Sequence, residues 1–363
     1  MSAAPVDIAT QVVRWQQVHG RQHLPWQQQR TPYRVWLSEI MLQQTQVATV
    51  LGYYQRFLER FPDVQALAAA PLDDVLALWS GLGYYSRARN LHRCARIVVS
   101  EHGGAFPASV DALAALPGIG RSTAGAIAAF CFGQRAPILD ANVRRVLTRV
   151  LGFGDDLAKA VHERALWARA QDLLPRHEDA QELAQAMVAY TQGLMDLGAG
   201  ICQPRQPHCL LCPLQTLCVA QQQGRQQDYP VRTRQLKRQA QAWWLLLLRD
   251  AQGRWLLQRR PGAGIWAGLY CPQVFDSQAQ LMAQLGALLP AGSAAQELPV
   301  VPHVLTHRDL YLHPVLVQAE AMAAAQTPQV GDAPAGAWFD AQQWPQLGLP
   351  APVRKLLESL EIV

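Results

Sequence analysis

Lysine is almost missing from this chain. Of its 32 basic side chains only Lys159, Lys237 and Lys355 are lysines, and the rest are arginines. Chemistry that needs a lysine amine as nucleophile therefore has few candidates. No apolar run approaches the ~20 residues of a membrane helix. The longest, Trp243 to Leu248, has the length of a strand. The opening residues, MSAAPVDIATQVVRWQQ, lack a basic segment followed by an apolar block, so no signal peptide is expected. This places the chain in a cytosol, with its seven cysteines reduced or on a metal. Charged residues are sparse at 16%, whereas half of the 363 residues are hydrophobic. That is enough for a sizeable core, and the length implies two to three domains.

What charge there is lies unevenly. Residues 1–224 carry a net +3, residues 225–240 a net +4, and residues 241–363 a net −2. A basic stretch thus separates two nearly neutral parts, a balance that permits nucleic-acid binding without demanding it.

The most informative stretch is LAALPGIGRSTAGAIAAFCFGQRAPILDANVRR, residues 113–145. An apolar run ends at Leu116, Pro117-Gly118-Ile119-Gly120 makes a turn, and a small apolar run follows from Thr123 to Phe130. This reads as helix, tight hairpin, helix. Gly118 and Gly120 are free to take positive φ and let a partner approach the backbone. The unpaired N–H groups of the second helix then form an anion site suited to a nucleic-acid phosphate. Asp140 follows, with Arg144 and Arg145 close behind. Taken alone, the hairpin is equally an ordinary αα turn, with Asp140 as a helix N-cap.

Upstream, Leu24-Pro25-Trp26 ends a first helix, and Thr31-Pro32 has the form of an N-cap and first helical residue. A long helix is expected from about Tyr33 to Phe61. On it Glu39, Gln43 and Gln46 fall at i, i+4 and i+7, with Gln44 beside them. This is either a solvated polar face or a site, since Glu39 has no lysine partner nearby. Gly81-Leu82-Gly83-Tyr84-Tyr85-Ser86-Arg87-Ala88-Arg89 sets aromatics between glycines and arginines. Such a segment suits stacking on bases and pairing with phosphates, or fills a helix junction. Helical patterns continue over Val161–Leu174 and Ala180–Leu197.

Four cysteines, Cys202, Cys209, Cys212 and Cys218, fall within 17 residues with prolines at 204, 207 and 213. Zinc usually shows two CxxC knuckles or histidines. Here a single CxxC and an asymmetric spacing favour a [4Fe–4S] cluster over zinc. Cys94, Cys131 and Cys271 are scattered and read as core residues. Gln221 to Gln241, rich in glutamine and arginine, reads as a linker. Beyond it the pattern turns to strands: a hairpin from Trp243–Leu248 and Trp255–Gln258, alternation over His303–Ala319, and Ala337–Phe339. Asp276–Leu289 and Pro352–Leu360 read as helices, so this part is α+β.

The segments LPW (24–26), WLSEIMLQQTQVATV, GLGYYSRARNL, ALPGIGRSTAGAI, ILDANVRRVL, MDLGAGIC and the four-cysteine loop resemble adenine DNA glycosylases of the MutY type. The match spans nearly all of residues 12–220. The strand region, with Gly264-Ile265-Trp266-Ala267-Gly268-Leu269-Tyr270, is similar to that family's C-terminal domain, itself Nudix-like. The resemblance implies a multidomain protein. Residues 1–224 would be an all-α helix-hairpin-helix glycosylase domain, with the motif at about 113–130 and the iron–sulfur loop at 202–218. Residues 225–240 would be a basic linker, and 241–363 an α+β Nudix-like recognition domain. It further implies an enzyme that flips adenine out of double-stranded DNA opposite 8-oxoguanine or guanine and hydrolyses its glycosidic bond. We expect a bacterial, cytoplasmic monomer working at the nucleoid, without a membrane partner.

By the same resemblance Glu39 is the general acid that protonates adenine N7. Asp140 stabilises, or covalently traps, C1′, and Asn142 supports the catalytic pair. This is the two-carboxyl logic of sugar hydrolysis. Gln43 lies beside Gln44 in the DNA-binding segment. Gln44 and Tyr84 are matched to residues that wedge into the duplex. Gly118 and Gly120 frame the phosphate-binding hairpin. Cys202, Cys209, Cys212 and Cys218 hold the [4Fe–4S] cluster. Leu305-Thr306-His307 stands where the family carries Phe-Ser-His, so Thr306 and His307 are expected to read the damaged guanine without the Phe. Endonuclease III-type relatives carry a lysine where this chain has Ser122, a DNA-side position. Without that amine a monofunctional glycosylase, leaving an abasic site, is expected. Asp276–Leu289 holds no glutamate, whereas a Nudix box needs several to hold Mg²⁺. This domain is therefore expected to bind and not to hydrolyse nucleotides. A non-catalytic DNA-binding protein would need neither Glu39 nor Asp140, and an electron-transfer protein would need no hairpin.

Overall fold

The computed structural model describes residues 7–233, 238–288, 295–318 and 336–361. These fall into two compact units. One comprises the described residues up to 54, with 63–68 and 93–233, and the other 55–62, 69–92 and those from 238 onward.

The first unit is helical. Its core gathers Val12, Val143, Leu147, Met187, Tyr190 and Leu194, all buried, from helices Ile8–His19, Ala141–Leu151 and Ala180–Asp196, with Leu139 from the segment before the second of these. Burying each such side chain stabilises by roughly 1.5–3 kcal/mol. The helix Pro32–Leu42 starts as its residues dictate. Thr31 Oγ1 accepts from the Arg34 N–H at 3.3 Å, and Pro32 takes the first helical position. It does not run on to Phe61. The chain breaks at Gln43–Gln46, Gln44 stands at φ 58°, and a new helix covers Val47–Arg60. Gln43 and Gln46 thus do not extend the face of Glu39. Leu24-Pro25-Trp26 likewise begins a short helix, Pro25–Gln28, and does not end the first one.

The hairpin forms between helices Val110–Ala115 and Arg121–Phe132. Gly118 supplies the positive φ, at 80°. Gly120 is extended at φ −84° and caps the second helix without a side chain. A Cβ there would meet nothing within 4 Å, so its surroundings stay open to an incoming group.

The stretch read as a linker is partly docked. Tyr229 is buried in the helical core, Val231 C=O accepts from Leu157 N–H at 3.1 Å, and Thr233 Oγ1 donates to Asp156 at 2.5 Å. Residues 234–237 of that stretch lie outside the described residues.

The second unit holds a mixed sheet. Its strands are β1 (Gln239–Arg249), β2 (Trp255–Arg259), β3 (Tyr270–Cys271), β4 (Gln273–Phe275), β5 (Ala295–Glu297), β6 (Val301–Val304), β7 (Arg308–Gln318) and β8 (Ala337–Phe339). The central pair, β1 and β7, runs parallel, with Trp243 opposite Leu312 and Leu247 opposite Leu316. The expected hairpin is β1–β2, antiparallel, with Arg249 opposite Trp255. Helix Gln278–Leu288 covers a core of Leu246, Leu248, Phe275, Leu281, Leu285, Val315 and Val317. Helix Ala351–Glu361 is the last described element.

Candidate active site

Glu39 sits on helix Pro32–Leu42 and lines a cavity with Arg21, Trp26, Gln27, Phe130 and Gln192. Burial pushes its carboxyl up to about 8, and the charge of Asp140 pushes in the same direction. Both causes disfavour the carboxylate. The group is therefore an acid that still holds its proton at neutral pH, which is what a proton donor to a heterocycle requires.

Asp140 is the N-cap of helix Ala141–Leu151. Its Oδ1 accepts from the Asn142 N–H at 2.6 Å and the Val143 N–H at 3.0 Å. The cap leaves Oδ2 without a protein donor among the described residues. Capping and chemistry are thus compatible in one side chain. Ser122 Oγ accepts from the Leu139 N–H at 3.0 Å, tying the segment before Asp140 to the hairpin helix. Asn142 Oδ1 accepts from Arg145 at 2.9 Å, and Arg145 also donates to the carbonyls of Gly198 and Cys202 at 2.7 and 2.8 Å. Gly198 is required here. It lies in a π-turn, Leu197–Ile201, and a Cβ on it would come within 2.7 Å of Asn142 Cβ.

Cys202, Cys209, Cys212 and Cys218 are free thiols that line one cavity, without a carboxylate or imidazole among its walls. Arg149, 2% exposed, braces the loop around them. It donates to the carbonyls of Gln203, Pro204 and Gln226 at 2.7, 3.0 and 2.8 Å and reaches Cys202 Sγ at 3.4 Å. Burial pushes Cys212 up to about 12, against a hydrogen bond from the Leu214 backbone and with a smaller push from the neighbouring thiols. Among the described residues no three His, Cys, Asp or Glu side chains are arranged to hold a single metal ion.

In the second unit Tyr84 is 44% exposed and has a left-handed backbone, φ 49°. Arg87 stacks on it, 5.3 Å from the ring centre. Thr306 and His307 are exposed in the turn between β6 and β7. The Tyr84 and Thr306 hydroxyls share a hydrogen bond of 3.2 Å, which brings two of the expected DNA-reading residues together. Gln44, in the first unit, is exposed in the break after Leu42.

Residues missed from the sequence alone are Arg21, Gln27, Gln192 and Asp196. Gln192 and Asp196 share a helix face at i, i+4, yet Arg21 meets Asp196 across 175 positions of chain. No local pattern signals that pairing.

The helical unit thus carries a glycine-turned hairpin, a cavity-lining acid that holds its proton and a helix-capping aspartate. The family described as HhH-GPD superfamily base excision DNA repair protein matches residues 37–171, and the NUDIX domain family matches 244–359. The helical unit is therefore of the base-excision class. An adenine DNA glycosylase of Buchnera aphidicola subsp. Schizaphis graminum (strain Sg) is 34% identical over 348 residues, 96% of each chain. That of Homo sapiens is 43% identical over 217 residues, 57% of this chain and 38% of the human one. A solved thermostable thymine-DNA glycosylase is 28% identical with a TM-score of 0.51, over 59% of this chain and 95% of the other. This chain belongs to the adenine DNA glycosylase family, and its reaction is removal of adenine from DNA in base excision repair.

Proposed function

We propose that the chain excises adenine opposite 8-oxoguanine or guanine in duplex DNA, as a monofunctional glycosylase that leaves an abasic site. The observation that carries this reading is Glu39, walled into a cavity with its carboxyl pushed up to about 8 and Asp140 alongside. Adenine is a poor leaving group until its ring is protonated. Glu39 gives its proton to N7, the C1′–N9 bond breaks with its electrons going to the base, and the sugar is left as a cation. Asp140 faces that cation, and water adds to C1′ as one of its O–H bonds breaks, its proton passing to a carboxylate of the Glu39–Asp140 pair. Extruding the base costs a few kcal/mol. Ser122 stands where an attacking amine would be needed, so neither a Schiff base nor strand cleavage follows.

Gly118 turns the hairpin and Gly120 leaves room there for a phosphate, with Gln43, Gln44 and Tyr84 at the duplex. Thr306 and His307 carry hydrogen-bonding groups that suit the N7–H and C8 oxygen of 8-oxoguanine. Cys202, Cys209, Cys212 and Cys218 form an all-sulfur donor set that fits a [4Fe–4S] cluster. Bound there, the cluster would hold residues 202–218 as one rigid loop. The domain division we propose is residues 1–224, 225–240 and 241–363. A monomer in the bacterial cytoplasm, acting at the nucleoid, completes the reading. Among the described residues no helix is long and apolar enough to cross a membrane.

The test is direct. Full-length protein is incubated with duplexes holding adenine opposite 8-oxoguanine, guanine or thymine, with and without alkali. Free adenine opposite the first two, and strand breaks only after alkali, are expected. No base release, or cleavage without alkali, overturns the reading.

A further inference from the structure

Two amide side chains in the Glu39 cavity are locked in opposite senses. Gln192, 6% exposed, sends Nε2 to Asp196 Oδ1 at 2.9 Å. Asp196 is itself 5% exposed and receives the Arg21 N–H at 2.9 Å and Arg21 Nε at 2.6 Å. Its carboxylate, paired with a guanidinium, can only accept. Gln192 must therefore offer it the NH₂, and the amide oxygen Oε1 is what remains for the cavity. The orientation of an amide is normally ambiguous; here the partner decides it. Gln27 is fixed the other way. Its Oε1 accepts from the Leu24 N–H at 3.2 Å, a donor with no alternative role. Its Nε2 is buried and has no protein partner among the described residues. The cavity thus presents one acceptor and one orphaned donor.

We propose that Asp196 is a positioning residue that sets base specificity, by holding Gln192 so that the cavity accepts a hydrogen bond where Gln27 donates one. This rests on the adenine reading above. Adenine's pairing edge carries N6–H₂, a donor, and N1, an acceptor. Gln192 Oε1 takes a hydrogen from N6, and Gln27 Nε2 gives one to N1. Glu39 remains free for N7 on the other edge. Guanine and hypoxanthine reverse the pattern, with an acceptor at O6 and a donor at N1–H. Both contacts then fail together, and buried polar groups are left facing like groups. Discrimination comes from this mismatch as much as from the fit.

The experiment compares single-turnover release of adenine and of hypoxanthine from the same duplex, each opposite 8-oxoguanine. Asp196→Asn lets the Gln192 amide turn over, since asparagine offers both a donor and an acceptor. The adenine-to-hypoxanthine rate ratio should fall by about tenfold or more, the scale of one mismatched buried hydrogen bond. A merely structural loss would slow both bases alike and leave the ratio unchanged. In Asp196→Asn combined with Gln192→Glu, the asparagine at 196 donates to the carboxylate at 192, whose other oxygen remains the acceptor toward the base, so the ratio should recover. If Asp196→Asn does not fold, Gln27→Met removes the orphan donor from the rim of the cavity and should lower the ratio too. An unchanged ratio in the folded variants overturns the proposal. A wild type that releases no adenine from any duplex overturns the adenine reading instead, and this inference with it.

Discussion

Ser122 Oγ accepts the backbone N–H of Leu139 at 3.0 Å, one residue before Asp140. The hairpin helix thereby holds the segment that carries the carboxylate. Ser122→Ala leaves that N–H without its partner. The cost should be about 1–3 kcal/mol in urea unfolding, with slower excision as Asp140 loosens. Ser122→Lys places an amine beside Asp140. Borohydride should then trap some enzyme–DNA adduct, and it should trap none with wild type. Efficient trapping by the wild type would contradict the monofunctional assignment.

Glu39 predicts two pH effects of related origin. Its carboxyl rises from 4.5 to about 8 on folding, through burial and then Asp140. As the acid, it donates only while protonated, so single-turnover excision should fall as pH rises through about 8. The native state binds this proton more tightly than the unfolded chain. Glu39 therefore favours the fold fully below about pH 4.5, and that contribution is lost as pH rises towards 8. Glu39→Gln should abolish excision while keeping DNA affinity, general acids being worth ~10²–10⁴. The melting temperature of Glu39→Gln relative to wild type should climb between pH 5 and 8. Excision within roughly tenfold of wild type would remove Glu39 from the acid role.

Much of this was legible in the residues because the signals are local. Thr31-Pro32 caps a helix, Gly118 turns a hairpin, and Asp140 caps the helix that follows it. The break after Leu42 was not legible. It carries neither glycine nor proline, and Gln44 takes the left-handed backbone itself, at φ 58°. Non-glycine residues rarely do so, at a cost of order 1–3 kcal/mol, and then chiefly where the surroundings hold them. The amides that line the Glu39 cavity, Gln27 and Gln192, were missed for a different reason. Their orientation depends on Asp196 and Leu24, contacts that only the folded chain supplies. Tyr229 was read as linker because its neighbours are glutamine and arginine, yet it fills the helical core.

The cysteine loop is testable by composition. Purified protein should be yellow-brown and carry four irons on Cys202, Cys209, Cys212 and Cys218. Zinc in their place, on protein prepared without air, would refute the cluster. Arg149→Lys keeps a positive charge but loses the fork that serves three carbonyls at once. Iron should then leave faster under a chelator, followed by the loss of visible absorbance. Iron retention equal to wild type would show that Arg149 does not brace the loop.

Adenine is a normal base, so the cavity around Glu39 cannot tell which adenine is wrong; the error is written on the base opposite. Under the proposed function, the exposed turn with Thr306 and His307 is where a hydroxyl and an imidazole would meet an N7–H and a C8 oxygen. Because Tyr229 and Thr233 are docked on the helical unit, the chain should be cut after Thr233, not at residue 225. That cut also removes Leu349, whose carbonyl accepts from Tyr85 Oη at 2.6 Å, and Ala267, whose carbonyl accepts from Arg89 at 2.8 Å. Adenine removal should therefore be slow in the shortened chain, and the preference for 8-oxoguanine over guanine opposite should vanish. Thr306→Ala with His307→Ala keeps these contacts and isolates the reading groups. It should lower the same preference by ~1–3 kcal/mol, the scale of one good base contact. Thr306→Ala also frees the Tyr84 hydroxyl from its 3.2 Å bond, so Tyr84→Phe is the control that separates latch from reader. If the double variant keeps the full ratio of rates opposite 8-oxoguanine and guanine, the turn is not the reader, and Gln44 and Tyr84 must carry that task.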